Sequence, residues 1–199
     1  MQLFTIDGEF LYEDKEENYR ETVESAISKK IVLHRIDLRY MKLRNADLRG
    51  ADLRNANLRG ADLRCANLCD ADLRYADLSE IDLRKANLCG SYLYKASLQN
   101  ADLRGALLCS AILHGASLHN AILHGTNLYG ADLREADLCY ADLRKINLRN
   151  AILHGADLRN ALGAEKIISK LKDKMEAVEQ VKYAPSTTRT RKIIIRRRV

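Results

Sequence analysis

The sequence predicts an all-β solenoid, a chain wound into a square coil of 20 residues and about six coils long. Three observations carry that expectation. From Ile36 to Asn160 one five-residue phrase recurs without losing register: small apolar residue, Asp or Asn, Leu, usually Arg, then a variable residue. All 25 phrases of this 125-residue stretch have Leu in the third slot, from Leu38 to Leu158. The first slot is Ala in 19 of the 25, the exceptions being Ile36, Met41, Ile81, Ser91, Thr126 and Ile146.

The period excludes the ordinary elements. A helix advances 100° per residue, so Leu at every fifth position would spiral around all its faces. A plain strand would throw successive Leu residues onto opposite sides. The pattern is used if slots one and three point inward, slots two and four point outward, and slot five helps to turn a corner. Four phrases then close one coil, and successive coils stack through parallel backbone hydrogen bonds. At ~4.8 Å per coil the rod is roughly 30 Å long.

An open coil exposes strand edges and apolar core, so each end calls for a cap. Residues 1–30 are expected to form the N-terminal cap. Leu3 to Ile6 and Glu9 to Tyr12 read as two short strands around Asp7-Gly8, a favoured tight-turn pair. Asn18 with Glu21 resembles a capping box, and Tyr19, Val23, Ala26 and Ile27 make one helix face. Lys29 and Lys30 suit the end of that helix. The solenoid occupies 31–162. A helix is expected over 163–182, with Ile167, Leu171, Met175 and Val178 on one face, placed to close the last coil or to pair with a second copy as a homodimer. The remainder, 183–199, is a basic tail beginning near Pro185.

At 199 residues the chain is one domain. Its start, Met1 to Phe10, lacks the basic flank and apolar run of a secretory signal, and no stretch approaches membrane-spanning length. Five cysteines without a disulfide-scaffold spacing fit a reducing cytoplasm. The net charge of +6 is uneven: −3 over residues 1–35, +2 over 36–160 and +7 over 161–199.

Ala46-Asp47-Leu48-Arg49-Gly50 and Ala61-Asp62-Leu63-Arg64-Cys65 resemble the motif of the pentapeptide-repeat family, and the resemblance covers 125 of the 199 residues. It implies a right-handed quadrilateral β-helix; periodicity gives the coil but not its hand. It also implies a non-catalytic binding protein that needs no cofactor. Such proteins include DNA mimics that bind gyrase and developmental regulators, so a nucleic-acid enzyme or a defence protein is a candidate partner. Mimicry of DNA requires a strongly negative surface, which a rod at +2 does not have.

Stacking places residues 20 apart in columns. Arg44, Arg64, Arg84, Arg104, His124 and Arg144 form one column beside Lys42, Asp62, Asp82, Asp102, Ile122 and Asp142. The aspartates relieve the repulsion between stacked arginines, which makes this a self-compensated solvated face rather than a phosphate-binding stripe. Another column is Arg49, Cys69, Cys89, Cys109, Tyr129, Arg149. Parallel side chains do not converge on a tetrahedral metal, and their Cβ atoms stand too far apart for a disulfide, so these thiols read as reduced and stacked. Cys139 above His119 makes no site by itself, and Cys65 occupies a corner. His114, His119 and His124 each face a different way, and Arg134 separates His114 from His154. No chelating trio, nucleophile elbow, Gly-rich phosphate loop or HExxH motif is present, so neither catalysis nor a metal is expected.

The positions that break the phrase are more informative. Slot two is Tyr92, Leu107, Ile112, Ile122 and Ile152, and slot four is Tyr94, His114 and His124. Residues 92, 94, 112, 114, 132 and 152 share one face, with Leu107 and Ile122 expected on the two faces beside it. Apolar, aromatic-rich breaks in a charged coat mark binding surfaces. The competing reading is drift at exposed strand positions that tolerate β-branched residues. The sequence thus points to a protein partner at Tyr92, Tyr94, Leu107, Ile112, His114, Ile122, His124 and Ile152. The alternative partner is nucleic acid, held through Arg189, Arg191, Lys192, Arg196, Arg197 and Arg198.

Overall fold

A computed structural model gives the architecture of the protein and describes residues 1–16 and 18–172. Strands β1 (Gln2–Phe4) and β2 (Phe10–Glu13) and helix α1 (Tyr19–Ser28) precede the repeats, and helix α2 (Ala164–Lys172) follows them. The repeats contain no long strand. Each second-slot residue makes a one-residue parallel bridge to the residue 20 positions away, as in Asp37 to Asn57 to Asp77, and such ladders run on to Leu162.

Phrases with a coil on either side repeat the same backbone chemistry. The second-slot amide reaches the coil before it, as Asn57 N–H does to the Ile36 carbonyl at 2.9 Å. The third-slot amide reaches the coil after it, as Leu38 N–H does to the Asn57 carbonyl at 2.8 Å. A corner then closes when the next first-slot amide returns to the leucine carbonyl, as Ala46 N–H does to Leu43 O at 3.1 Å. That turn holds its fifth-slot residue at positive φ, 60° at Asn45 and 67° at Gly105. A β-turn with its third residue in this region is the kind that selects Gly or Asn, and those two fill 14 of the 25 fifth slots.

The inward assignment holds along the ladder. Leu38 to Leu143 are buried at every third slot, and Ala fills the space between them. In the last coil Ile146 and Leu148 are only half-buried, because no further coil stacks on them. Ala164 is buried there, and Ile167 and Ile168 of α2 pack against the same core.

The N-terminal segment is an antiparallel hairpin whose register slips by one residue toward its turn. β1 and β2 pair Gln2 with Glu13, Leu3 with Tyr12 and Phe4 with Phe10, with an irregularity between Leu3 and Phe4. Thr5 stays in the hairpin, its N–H donating to Glu9 O at 2.8 Å and its carbonyl accepting from Gly8 N–H at 2.9 Å, while the outer edge of this strand meets the solenoid. Thr5 bridges Ile36, Ile6 N–H donates to Arg35 O at 2.7 Å, and Asp37 N–H donates to Phe4 O at 2.9 Å. The turn is centred on Ile6-Asp7 rather than on Asp7-Gly8, and the first coil pairs with the outer edge of the first strand.

Asn18 caps α1 as expected, accepting the Glu21 amide at 3.0 Å. The buried face is Thr22, Val23 and Ala26, with Ile27 half-buried and Tyr19 at its exposed margin. Lys29 turns to Asp14 at 2.9 Å, and that carboxylate also accepts from Tyr12 and Ser25. These hydrogen bonds, Ser25 foremost, hold the Asp14 carboxyl far below its ordinary range. Of the helix expected over 163–182, the part up to Lys172 is described; Met175, Val178 and the basic tail lie outside the described residues. No helix among the described residues is long and apolar enough to cross a membrane.

Candidate protein-binding face

Ten of the 25 phrases carry a short-range ion pair on the outer surface. Where Asp in slot two precedes Arg in slot four, the two side chains lie along the same rung. Arg64 illustrates the arrangement: its Nε reaches one carboxylate oxygen of Asp62 at 2.8 Å and its Nη2 the other at 2.5 Å. The same fork joins Asp52 to Arg54, Asp72 to Arg74, Asp132 to Arg134 and Asp142 to Arg144. At Asp37, Asp47, Asp52, Asp62, Asp132 and Asp142 the arginine hydrogen bonds hold the carboxyl below its ordinary range, with partial burial opposing them. Such carboxylates act as fixed acceptors rather than as acids.

The slot-two carboxylate or amide has a second task. Its Oδ1 accepts the slot-four backbone N–H, at 3.2 Å from Asp62 to Arg64 and at 3.1 Å from Asn57 to Arg59. This local side-chain acceptor explains why Asp and Asn share the slot. Ile, Leu and Tyr cannot provide it, so each apolar slot two removes both an ion pair and an acceptor.

One face concentrates those losses. Tyr92 and Ile112 are consecutive bridge partners in the ladder Asp72, Tyr92, Ile112, Asp132, Ile152, and Tyr92 is 45% exposed. Beside them Tyr94 and His114 stack, with ring centroids 5.5 Å apart and planes 20° from parallel. Tyr75 meets Tyr94 edge-on at 5.5 Å, and Lys95 Nζ lies 5.2 Å from the Tyr94 ring centre. His114 Nε2 stands 3.6 Å from a carboxylate oxygen of Glu135. The Asp72–Arg74 and Asp132–Arg134 forks border this aromatic patch along the rod axis.

The structure separates the candidate residues. Tyr92, Tyr94, Ile112 and His114 come together. Leu107, 42% exposed, stands in the ladder one corner earlier, between Asn87 and Asn127, and so on the adjoining face. Ile152 shares the ladder of Ile112, but Asp132 intervenes. Ile122 corrects an expectation: it bridges Asp102 and Asp142, in the ladder that lies opposite. Ten residues separate it from Ile112, which is half a circuit of a 20-residue coil, so Ile122 and its neighbour His124 belong to the far side rather than to a flanking face.

Sequence reasoning missed Tyr75, Lys95 and Glu135. All three belong to one fifth-slot column, Tyr75, Lys95, Gly115 and Glu135, and the column rule applied to fifth slots finds them. The other chemical groups stay apart. Burial, then hydrogen bonds with Asp137 and Asp157, pushes the Cys139 thiol up to about 12, which leaves it unreactive. His119 instead contacts Tyr140 edge-on at 5.3 Å and approaches Asp137 at 3.6 Å. All five cysteines are free, and no group of three or more metal-ligating side chains converges among the described residues.

Comparison with known proteins follows the repeat. The family model for pentapeptide repeats matches over 32–68, 51–90, 86–125 and 126–162. Among solved structures, a pentapeptide repeat protein from the thylakoid lumen of Arabidopsis thaliana is 30% identical, with 58% of this chain and 77% of that chain covered and a TM-score of 0.43. HetL, involved in heterocyst differentiation regulation in Nostoc sp. strain PCC 7120, is 33% identical, covering 63% and 73% with a TM-score of 0.21. QnrB1, a plasmid-mediated fluoroquinolone resistance protein, is 21% identical, covering 71% and 89% with a TM-score of 0.32. No curated protein matches the chain. With the repeat model spanning most of the ladder described above, the chain belongs to the pentapeptide-repeat family, whose fold is a right-handed quadrilateral β-helix.

Proposed function

We propose that the protein is a non-catalytic, protein-binding rod that inhibits or protects another macromolecule, with a nucleic-acid enzyme or a defence protein as the partner class. The observation that carries this reading is the patch of Tyr75, Tyr92, Tyr94, Ile112 and His114. There the ion-pair coat gives way to packed aromatic and apolar side chains on a rigid backbone. Rings already held by stacking lose little freedom on docking, so more of their contact energy reaches the complex. Binding without chemistry is further supported by the forks, which pair ten of the twelve slot-two aspartates with an arginine of the same phrase. Five free thiols support a reducing cytoplasmic setting.

The test is affinity capture from the native host with mass spectrometry of the recovered proteins. Tyr94→Asp with Ile112→Asp is expected to abolish recovery of the specific partner, whereas Ile122→Asp on the opposite face keeps it. Unchanged recovery by the double variant removes the proposal. A second reading rests on the +7 charge of residues 161–199, which favours nucleic acid. Binding through those residues would collapse steeply between about 50 and 200 mM salt, while an apolar docking face would persist.

A further inference from the structure

We propose that the basic segment 189–199 of this chain returns along the rod and adds to the open edge of β2, as a third strand of the cap sheet. The first coil, β1 and β2 form one continuous ladder. Ile36 bridges Thr5 on one side of the first strand, and β2 pairs with its other side. β2 ends that ladder: the cap sheet has two strands, and Leu11 and Glu13 make no backbone bond outside the hairpin among the described residues. A row of open N–H and C=O groups is a template for one more strand. The same sheet leaves apolar surface in water. Phe4 and Phe10 meet edge-on with ring centroids 6.1 Å apart, yet Phe10 is 58% exposed, and Ile6 is exposed as well. Gln2 and Glu13 are register partners on that outer face, since Leu3 between Gln2 and Phe4 is buried.

Charge, pattern and reach select the occupant. The cap's ion pairs take up Glu21, Asp14 and Asp7, and leave Glu9 and Glu13 at either end of the edge. A second copy of β2 would bring the same glutamates against them, so self-pairing is opposed by like charge. Segment 189–199 is the complement: Arg189, Arg191, Lys192, Arg196, Arg197 and Arg198, no acidic residue, and Ile193-Ile194-Ile195 at its centre. Strand alternation would put Ile193 and Ile195 on one face with Arg191 and Arg197 beyond them. That order offers branched side chains to the Phe4–Phe10 pair and guanidinium groups to Glu9 and Glu13. The 17 peptide steps from Lys172 to Arg189 extend to about 56 Å, against a rod of roughly 30 Å. Tethering holds the segment at an effective concentration on the order of millimolar, which populates even a weak strand pairing.

The experiment is hydrogen–deuterium exchange of the full chain, read by mass spectrometry over residues 9–14. The reference is Ile193→Pro/Ile195→Pro, which removes two amide donors from the added strand. Parent β2 should exchange roughly fivefold slower or more, the factor that one net backbone hydrogen bond gives. Glu9→Lys/Glu13→Lys should lose that slowing, and adding Arg191→Glu/Arg197→Glu to it should restore it. A synthetic peptide of residues 189–199 in excess should restore it to the proline variant. Unchanged exchange along the leucine spine establishes that each variant is folded. Equal exchange of β2 in parent and proline variant would overturn the proposal, as would no response to the added peptide. Slowing that fades on tenfold dilution would also overturn it, because the segment would then come from a second copy.

Discussion

Leu107 and Leu108 are the same residue type one peptide bond apart, yet Leu107 is 42% exposed and Leu108 is 0% exposed. They therefore test the slot assignment with chemistry held constant. Leu108→Ala removes three buried carbons, about 2.4 kcal/mol at about 0.8 kcal/mol each. The cavity it leaves adds to this, because Leu88 below and Leu128 above are held by their own rungs and cannot close in; an expected cost of about 3–5 kcal/mol follows. Leu107→Ala takes carbons from a surface already open to water, and about 0.5 kcal/mol or less is expected. Urea unfolding followed by far-ultraviolet circular dichroism measures both. The midpoints are to be compared at matched slope, since a stack of repeats need not unfold in one step. Equal costs for the two variants, or a Leu108→Ala cost below about 1 kcal/mol, would refute the inward leucine spine.

Two further outcomes follow from the coat and the corners. The forked carboxylates have folded-state values below their unfolded ones, so the stability they contribute is present above about pH 4 and is lost as pH falls through the lower folded values. Thermal midpoints should accordingly fall between about pH 4 and pH 2, and an unchanged midpoint there would show that the forks do not couple to folding. At the corners, Gly105→Ala places a side chain at φ 67° and should cost about 1 kcal/mol, although a Cβ there meets only Lys85 Cγ at 3.8 Å. Lys85→Gly, at φ 59° in the coil below, should be neutral to about 1 kcal/mol stabilising; calorimetry of the pair gives the sign.

Much of the solenoid was legible because a strict period leaves one geometry. Leucine at every fifth position can be buried only if each phrase is one side of a square, and the burial of Leu38 to Leu143 follows from that. The charged columns were read correctly as self-compensating. The geometry of the compensation was hidden, because whether Arg64 pairs along its rung or across coils depends on the turn, which fixes where slot four points. In the structure it does both, at 2.5 Å to Asp62 and at 3.5 Å to Asp82. The aromatic patch was half visible. Tyr92, Tyr94, Ile112 and His114 declared themselves by breaking the phrase, whereas Tyr75 sits in a slot where any residue is allowed and became visible only through its contact with Tyr94. Ile122 was misplaced by counting phrases without counting corners. The one-residue slip near the hairpin turn was not readable from local turn propensity, because Arg35 O and Asp37 N–H engage the Ile6 amide and the Phe4 carbonyl from the solenoid side.

The twenty-residue bridge step also governs how this molecule can change length. Removing one complete circuit, such as residues 51–70, would shorten the tube and leave every later side chain pointing as before. Removing a single phrase would keep the leucines inside but rotate everything after the cut by a quarter circuit, carrying Tyr92 and Ile112 around to another compass direction. Heritable gain and loss in such a chain therefore has two distinct outcomes, one that alters reach and one that alters heading.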